Sequence, residues 1–78
     1  MKTVKILGSG CANCRKLEAV ARDAASASGI EAEFVKVTDM QDIMRFDILS
    51  TPGLVIDGRL VSSGRIPSRA EIQGWLAG

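Results

Sequence analysis

Histidine is absent from this 78-residue chain, and aromatic residues nearly so, with Phe34, Phe46 and Trp75 the only three. A closed zinc site takes about four ligands, so without histidine the chain would have to pair with a second copy or recruit carboxylates. With so few aromatics the core must come from Val, Ile, Leu, Ala and Met, and the stacking platforms that hold single-stranded nucleic acid are missing. Charge is balanced: 10 Lys and Arg face 9 Asp and Glu, a net +1 with no basic block. Nucleic acid is therefore not an expected partner. No apolar run approaches the roughly 20 residues that span a bilayer. Met1-Lys2-Thr3-Val4-Lys5 leads straight into a strand-like segment with no apolar leader behind it. The expected setting is the cytoplasm, away from membranes. Cytosolic thiols are held reduced, so the two cysteines, Cys11 and Cys14, point to catalysis, redox sensing or metal.

What is present reads as one α/β domain over residues 1–78, with 46% hydrophobic and 24% charged residues. Thr3 to Leu7 is β-rich and ends at the turn Gly8-Ser9-Gly10. The period then changes. Cys14, Leu17, Val20, Ala21, Ala24 and Ala27 recur at three- and four-residue steps, the mark of an amphipathic helix with an Ala-rich buried face. Gly29 stands where a left-handed cap would end it. Ile30 to Val37 reads as a second strand, and Asp39 caps a short helix whose inward stripe is Met40, Ile43, Met44 and Phe46. Leu54-Val55-Ile56 and Leu60-Val61 flank Asp57-Gly58, a strong hairpin signal. Ser68 and Glu71 form a capping box for a last helix with Ile72, Trp75 and Leu76 inward. The order βαβαββα predicts a four-stranded mixed sheet with three helices. Its first strand lies in the middle, and the loop after that strand opens where ligands gather in open α/β sheets.

Cys11-Ala12-Asn13-Cys14 follows a strand and opens a helix. Cys11 would stand at the helix N-terminus, where unpaired N–H groups and the helix dipole favour an anion and lower a thiol's pKa. Cys14 falls on the buried stripe. An exposed acidic thiol beside a shielded one describes an attacking and a resolving cysteine. A stability disulfide is the weaker reading, since so short a loop restricts the unfolded chain little. Carriage of a soft metal, Cu(I) or Zn(II), by the same two thiolates is the serious alternative.

Ile6-Leu7-Gly8-Ser9-Gly10-Cys11-Ala12-Asn13-Cys14, Ser50-Thr51-Pro52, Val55-Ile56-Asp57-Gly58 and Ser63-Gly64 together resemble the small thioredoxin-like redox-active disulfide proteins. The likeness runs over nearly the whole chain. It implies a thioredoxin-like fold and protein-disulfide oxidoreductase activity through Cys11 and Cys14, with no cofactor. It implies protein dithiols and disulfides as substrates, a reductase as electron partner, and a monomer. By the same resemblance Pro52 should be cis, and Thr51 beside it should offer its backbone to an extended substrate segment as an added strand. Gly10, lacking a side chain, would allow close approach of a partner backbone. The chain departs from thioredoxins in three ways. Gly10 replaces the Trp before the first cysteine, Ala12-Asn13 replaces Gly-Pro, and Thr3-Val4-Lys5-Ile6-Leu7 lacks the buried Asp, leaving water to carry the Cys14 proton. Ser63-Gly64 followed by Ser68 matches the glutathione loop of glutaredoxins only partly, so glutathione is not the favoured partner. Arg65 and Arg69, which could greet a glutathione carboxylate, read more simply as solvated charges.

Overall fold

Alternation builds the central strand. In β1 (Lys2–Leu7), Val4 and Ile6 are buried against one layer of helix, while Leu7 is buried on the opposite side. The computed structural model describes residues 1–8, 12–48 and 50–77. After β1 come α1 (Ala12–Ser28), β2 (Ala32–Val37), α2 (Met40–Met44), β3 (Gly53–Ile56), β4 (Arg59–Ser63) and α3 (Arg69–Ala77). The sheet order is β2-β1-β3-β4. β1 runs parallel to β2 from Lys2↔Ala32 to Leu7↔Val37, and antiparallel to β3 from Val4↔Ile56 to Leu7↔Gly53. β3 and β4 form the hairpin, with a register shift between Leu54 and Val55. This is the mixed βαβαββα sheet that the sequence predicts, an α/β thioredoxin-like fold.

Helices cover both faces, so all four residues of β3 are buried. On one face Val4, Ile6, Leu54 and Ile56 meet Leu17, Ala21 and Ala24 of α1 and Ile72 and Leu76 of α3. Each large aliphatic so buried contributes about 1.5–3 kcal/mol, and the alanines let α1 lie close to the strands. On the other face Ile43 packs with Leu7 and Val55, flanked by Phe46 and Ile48.

Local signals fix the ends of these elements. Gly29 (φ 66°) ends α1, and Ile30 N–H donates back to the Ala25 carbonyl at 3.0 Å. Asp39 accepts from Gln41 N–H at 2.8 Å. Asp57 and Gly58 both have positive φ, 50° and 83°, as a type I′ hairpin turn requires. Ser68 and Glu71 exchange both capping-box bonds, at 3.1 and 3.2 Å.

Three details differ from expectation. Ala25 rather than Ala27 is buried in α1, because a 3.6-residue period drifts away from a fixed three-four step. β2 begins at Ala32, since Ile30 is taken up in closing α1. Met40 and Met44 are not core: they are 58% and 67% exposed, and Ile43 alone of that stripe is fully buried. A helix of five residues has barely more than one turn to present.

Candidate active site around Cys14

The first turn of α1 places Cys14, its third residue, toward the sheet, and only 6% of it is exposed. That burial depends on Gly8. The Gly8 N–H closes the end of β1 on the Val37 carbonyl at 3.0 Å. A Cβ built on Gly8 would overlap the Cys14 sulfur and would lie 4.0 Å from the Thr51 Cβ. Gly8, Cys14 and Thr51 therefore converge at the carboxyl end of β1.

Thr51 arrives there because the next segment is tied on both sides. The Thr51–Pro52 peptide is cis. Pro52 is buried, and its carbonyl accepts the Gly64 N–H at 2.9 Å. The following residue, Gly53, is registered against Leu7 at the end of β1. Thr51 itself is exposed. Beside it a groove of about 230 Å³ runs between Thr51, Ser50, Ile48 and the exposed Met40 and Met44 of α2. Two of the residues singled out from the sequence, Gly10 and Cys11, lie outside the described residues, in the stretch joining Gly8 to Ala12.

The first turn of α1 contains no acidic residue, so no carboxylate competes there for the positive end of the helix dipole. One turn further along, Glu18 shares with Cys14 a cavity of about 30 Å³, together with Arg15, Lys36 and Thr38. The Glu18 carboxylate accepts from Arg22 Nε at 2.9 Å and meets Lys36 Nζ at 3.1 Å. The Arg22 hydrogen bond, with the Lys36 contact behind it, holds the Glu18 carboxyl below its ordinary range despite partial desolvation.

Sequence reasoning missed Gly8, Glu18 and Lys36 as parts of the site. Glu18 could have been found, since it stands four residues after Cys14 and so on the same helix face. Lys36 could not, because its place depends on the β1–β2 register, which sets Ile6 against Lys36. Arg65 and Arg69 are paired within the chain: Arg65 grips Glu71 at 3.2 and 2.8 Å, and Arg69 reaches Asp23 on α1 at 3.1 Å. Among the described residues no three His, Cys, Asp or Glu side chains gather as metal ligands. No helix among them is long and apolar enough to cross a membrane.

Residues 2–77 match the family model described as a thioredoxin domain. The chain belongs to that family. A protein named thioredoxin from Methanothermobacter thermautotrophicus is 44% identical over 77 residues, covering 99% of this chain and the whole of that one. A second thioredoxin, from Methanocaldococcus jannaschii, is 38% identical over 97% of this chain and 87% of its own length. Among solved structures, the germline-specific thioredoxin Deadhead of Drosophila melanogaster superposes with a TM-score of 0.66 at 17% identity, over 97% of this chain and 78% of that one. Mitochondrial thioredoxin 3 of Saccharomyces cerevisiae, in its oxidised form, gives 0.66 at 16% identity, over 97% and 76% of the two chains. At those identities the structures show the shared fold, and the two archaeal relatives carry the family. As a thioredoxin-family protein the chain is a thiol-disulfide oxidoreductase of the protein-disulfide class.

Proposed function

We propose that Cys11 and Cys14 are the redox pair, with Cys11 attacking a partner disulfide and Cys14 resolving the intermediate. The observation that carries this reading is the convergence of buried Cys14, Gly8 and Thr51 where β1 gives way to α1. Cys11 is in sequence the residue before Ala12, with which α1 begins, and backbone N–H groups and the dipole at a helix start favour a thiolate. Exchange proceeds in two balanced steps. The Cys11 thiolate attacks one partner sulfur, and the electron pair of the partner's S–S bond leaves on its second sulfur. Cys14 then loses its proton and attacks Cys11, and the partner departs as a dithiol.

The substrate is a protein rather than glutathione. Support comes from exposed Thr51, whose backbone can pair with an extended segment, and from the methionine-walled groove beside it. Methionine is soft and unbranched, suited to apolar side chains of varied shape. Thr51 and Pro52 form the ledge on which that segment lies, Gly10 is proposed as a further substrate contact, and a reductase returns the pair to its dithiol state in the cytoplasm.

The test is covalent capture. Cys14→Ser should retain partners from a cell lysate as mixed disulfides, released by reductant, because no nearby thiol remains to resolve them. Cys11→Ser should capture few. Equal capture by both variants would remove the division of labour. No capture by either, with tight Cu(I) binding by the unaltered pair, would replace exchange by metal carriage.

A further inference from the structure

Three charged side chains, Arg15, Glu18 and Lys36, line the small cavity that Cys14 also lines, and a fourth, Arg22, pairs with Glu18. Their arrangement is unequal. Glu18 of α1 keeps only 15% of its side chain exposed, whereas its partners Arg22 and Lys36 keep 56% and 62%. The carboxylate is thus the fixed charge, and the cations reach in to it from solvent. Helical side chains lean toward the N-terminus, so Glu18 leans over the turn that carries Cys14. Lys36 of β2 and Arg15 of α1 line the same cavity, with Lys36 Nζ 3.1 Å from the Glu18 carboxylate. Among the described residues that line this cavity or approach Cys14 beside Gly8, Ile6 and Gly8 of β1, Thr38 and Thr51 are uncharged. A cavity of about 30 Å³ has room for a water, which needs about 10–15 Å³, so a proton has a way out.

We propose that Glu18 is a positioning residue for thiol-disulfide exchange: it anchors Lys36 at the Cys14 cavity, offsets the cationic charge there, and so keeps the Cys14 thiol protonated until it is required to resolve. The inference rests on Cys14 being the resolving thiol. In the resolving step the Cys14 proton leaves through the cavity to solvent and the sulfur's electron pair forms the Cys14–Cys11 bond. The Cys11–partner bond breaks, and the departing partner sulfur takes up a proton from solvent. The anchored pair divides the influence. Lys36 favours the thiolate as it forms, and Glu18 opposes its forming early.

The two members act with opposite sign, and this makes the proposal testable apart from any structural damage. In the Cys11→Ser chain, the rate of Cys14 alkylation by iodoacetamide is followed against pH by mass spectrometry. Adding Glu18→Gln leaves the cavity's cations, Arg15 and Lys36, unopposed, and the midpoint should fall by about half a unit to one unit. Adding Lys36→Gln should raise it by a similar amount, and Glu18→Asp, which keeps the charge, should stay near the parent. Shifts of both midpoints in the same direction, or of neither, overturn the proposal. If the midpoints stay fixed while Cys14→Ser still captures partners, Glu18 loses its role and Cys14 keeps its own. If capture itself is lost, the resolving assignment falls.

Discussion

Gly8 has no side chain, yet Cys14 depends on it. Because the Cys14 sulfur occupies the space a Cβ would need, Gly8→Ala must displace that sulfur, by rotating the Cys14 side chain or by moving β1 or the first turn of α1. Overpacking of this kind costs about 1–3 kcal/mol. The displaced Cys14 should also be alkylated faster than in the parent. Urea unfolding and labelling of Gly8→Ala measure the two effects, and unchanged values for both would contradict the packing described here. The burial of Cys14 was legible in the sequence, because its spacing to Leu17, Ala21 and Ala24 puts it on the apolar stripe of α1. Gly8 was legible only as part of a turn, because a close approach is a property of two segments. Met40 and Met44 show the converse: their four-residue spacing suggests a buried stripe, but α2 is too short to bury more than Ile43.

At the scale of elements, most boundaries are set by interactions a few residues long, and these were legible. The capping box of α3 is one, and it carries a pH dependence. Arg65, and after it the Ser68 N–H, hold the Glu71 carboxyl down to about 2 from an ordinary 4.5. A depressed carboxylate stabilises the fold fully above the unfolded value of 4.5, and that contribution is lost as pH falls toward about 2. Thermal melts should therefore show a loss of stability across this acid window that is smaller in Glu71→Gln. Ser68→Ala removes the other half of the box and should cost about 1 kcal/mol at neutral pH, or roughly 4–8 °C in Tm for a domain of this size. Unchanged acid sensitivity in Glu71→Gln would place the titration elsewhere. Harder to read were contacts between distant elements. The Arg69–Asp23 pair that ties α3 to α1 and the Lys36–Glu18 pair beside Cys14 need the assembled sheet to bring their partners together.

For the whole molecule, the βαβαββα order left few topologies open. The short hairpin forces β3 and β4 to be antiparallel, and the helical crossover forces β1 and β2 to be parallel. The central place of β1 follows once β3 joins its free edge, and this position carries Gly8, Cys14 and Thr51 to one end of the sheet. The central claim is that the two cysteines form a reversible two-electron couple within one chain. Equilibrating the protein in dithiothreitol buffers of graded potential, then quenching in acid and weighing it, tests this most directly. The account predicts two states differing by two hydrogens, interconverting with a two-electron slope and a midpoint independent of protein concentration. Neither Cys11→Ser nor Cys14→Ser should show that transition. A product linked only between chains, or a pair that stays reduced across the whole range, would contradict it.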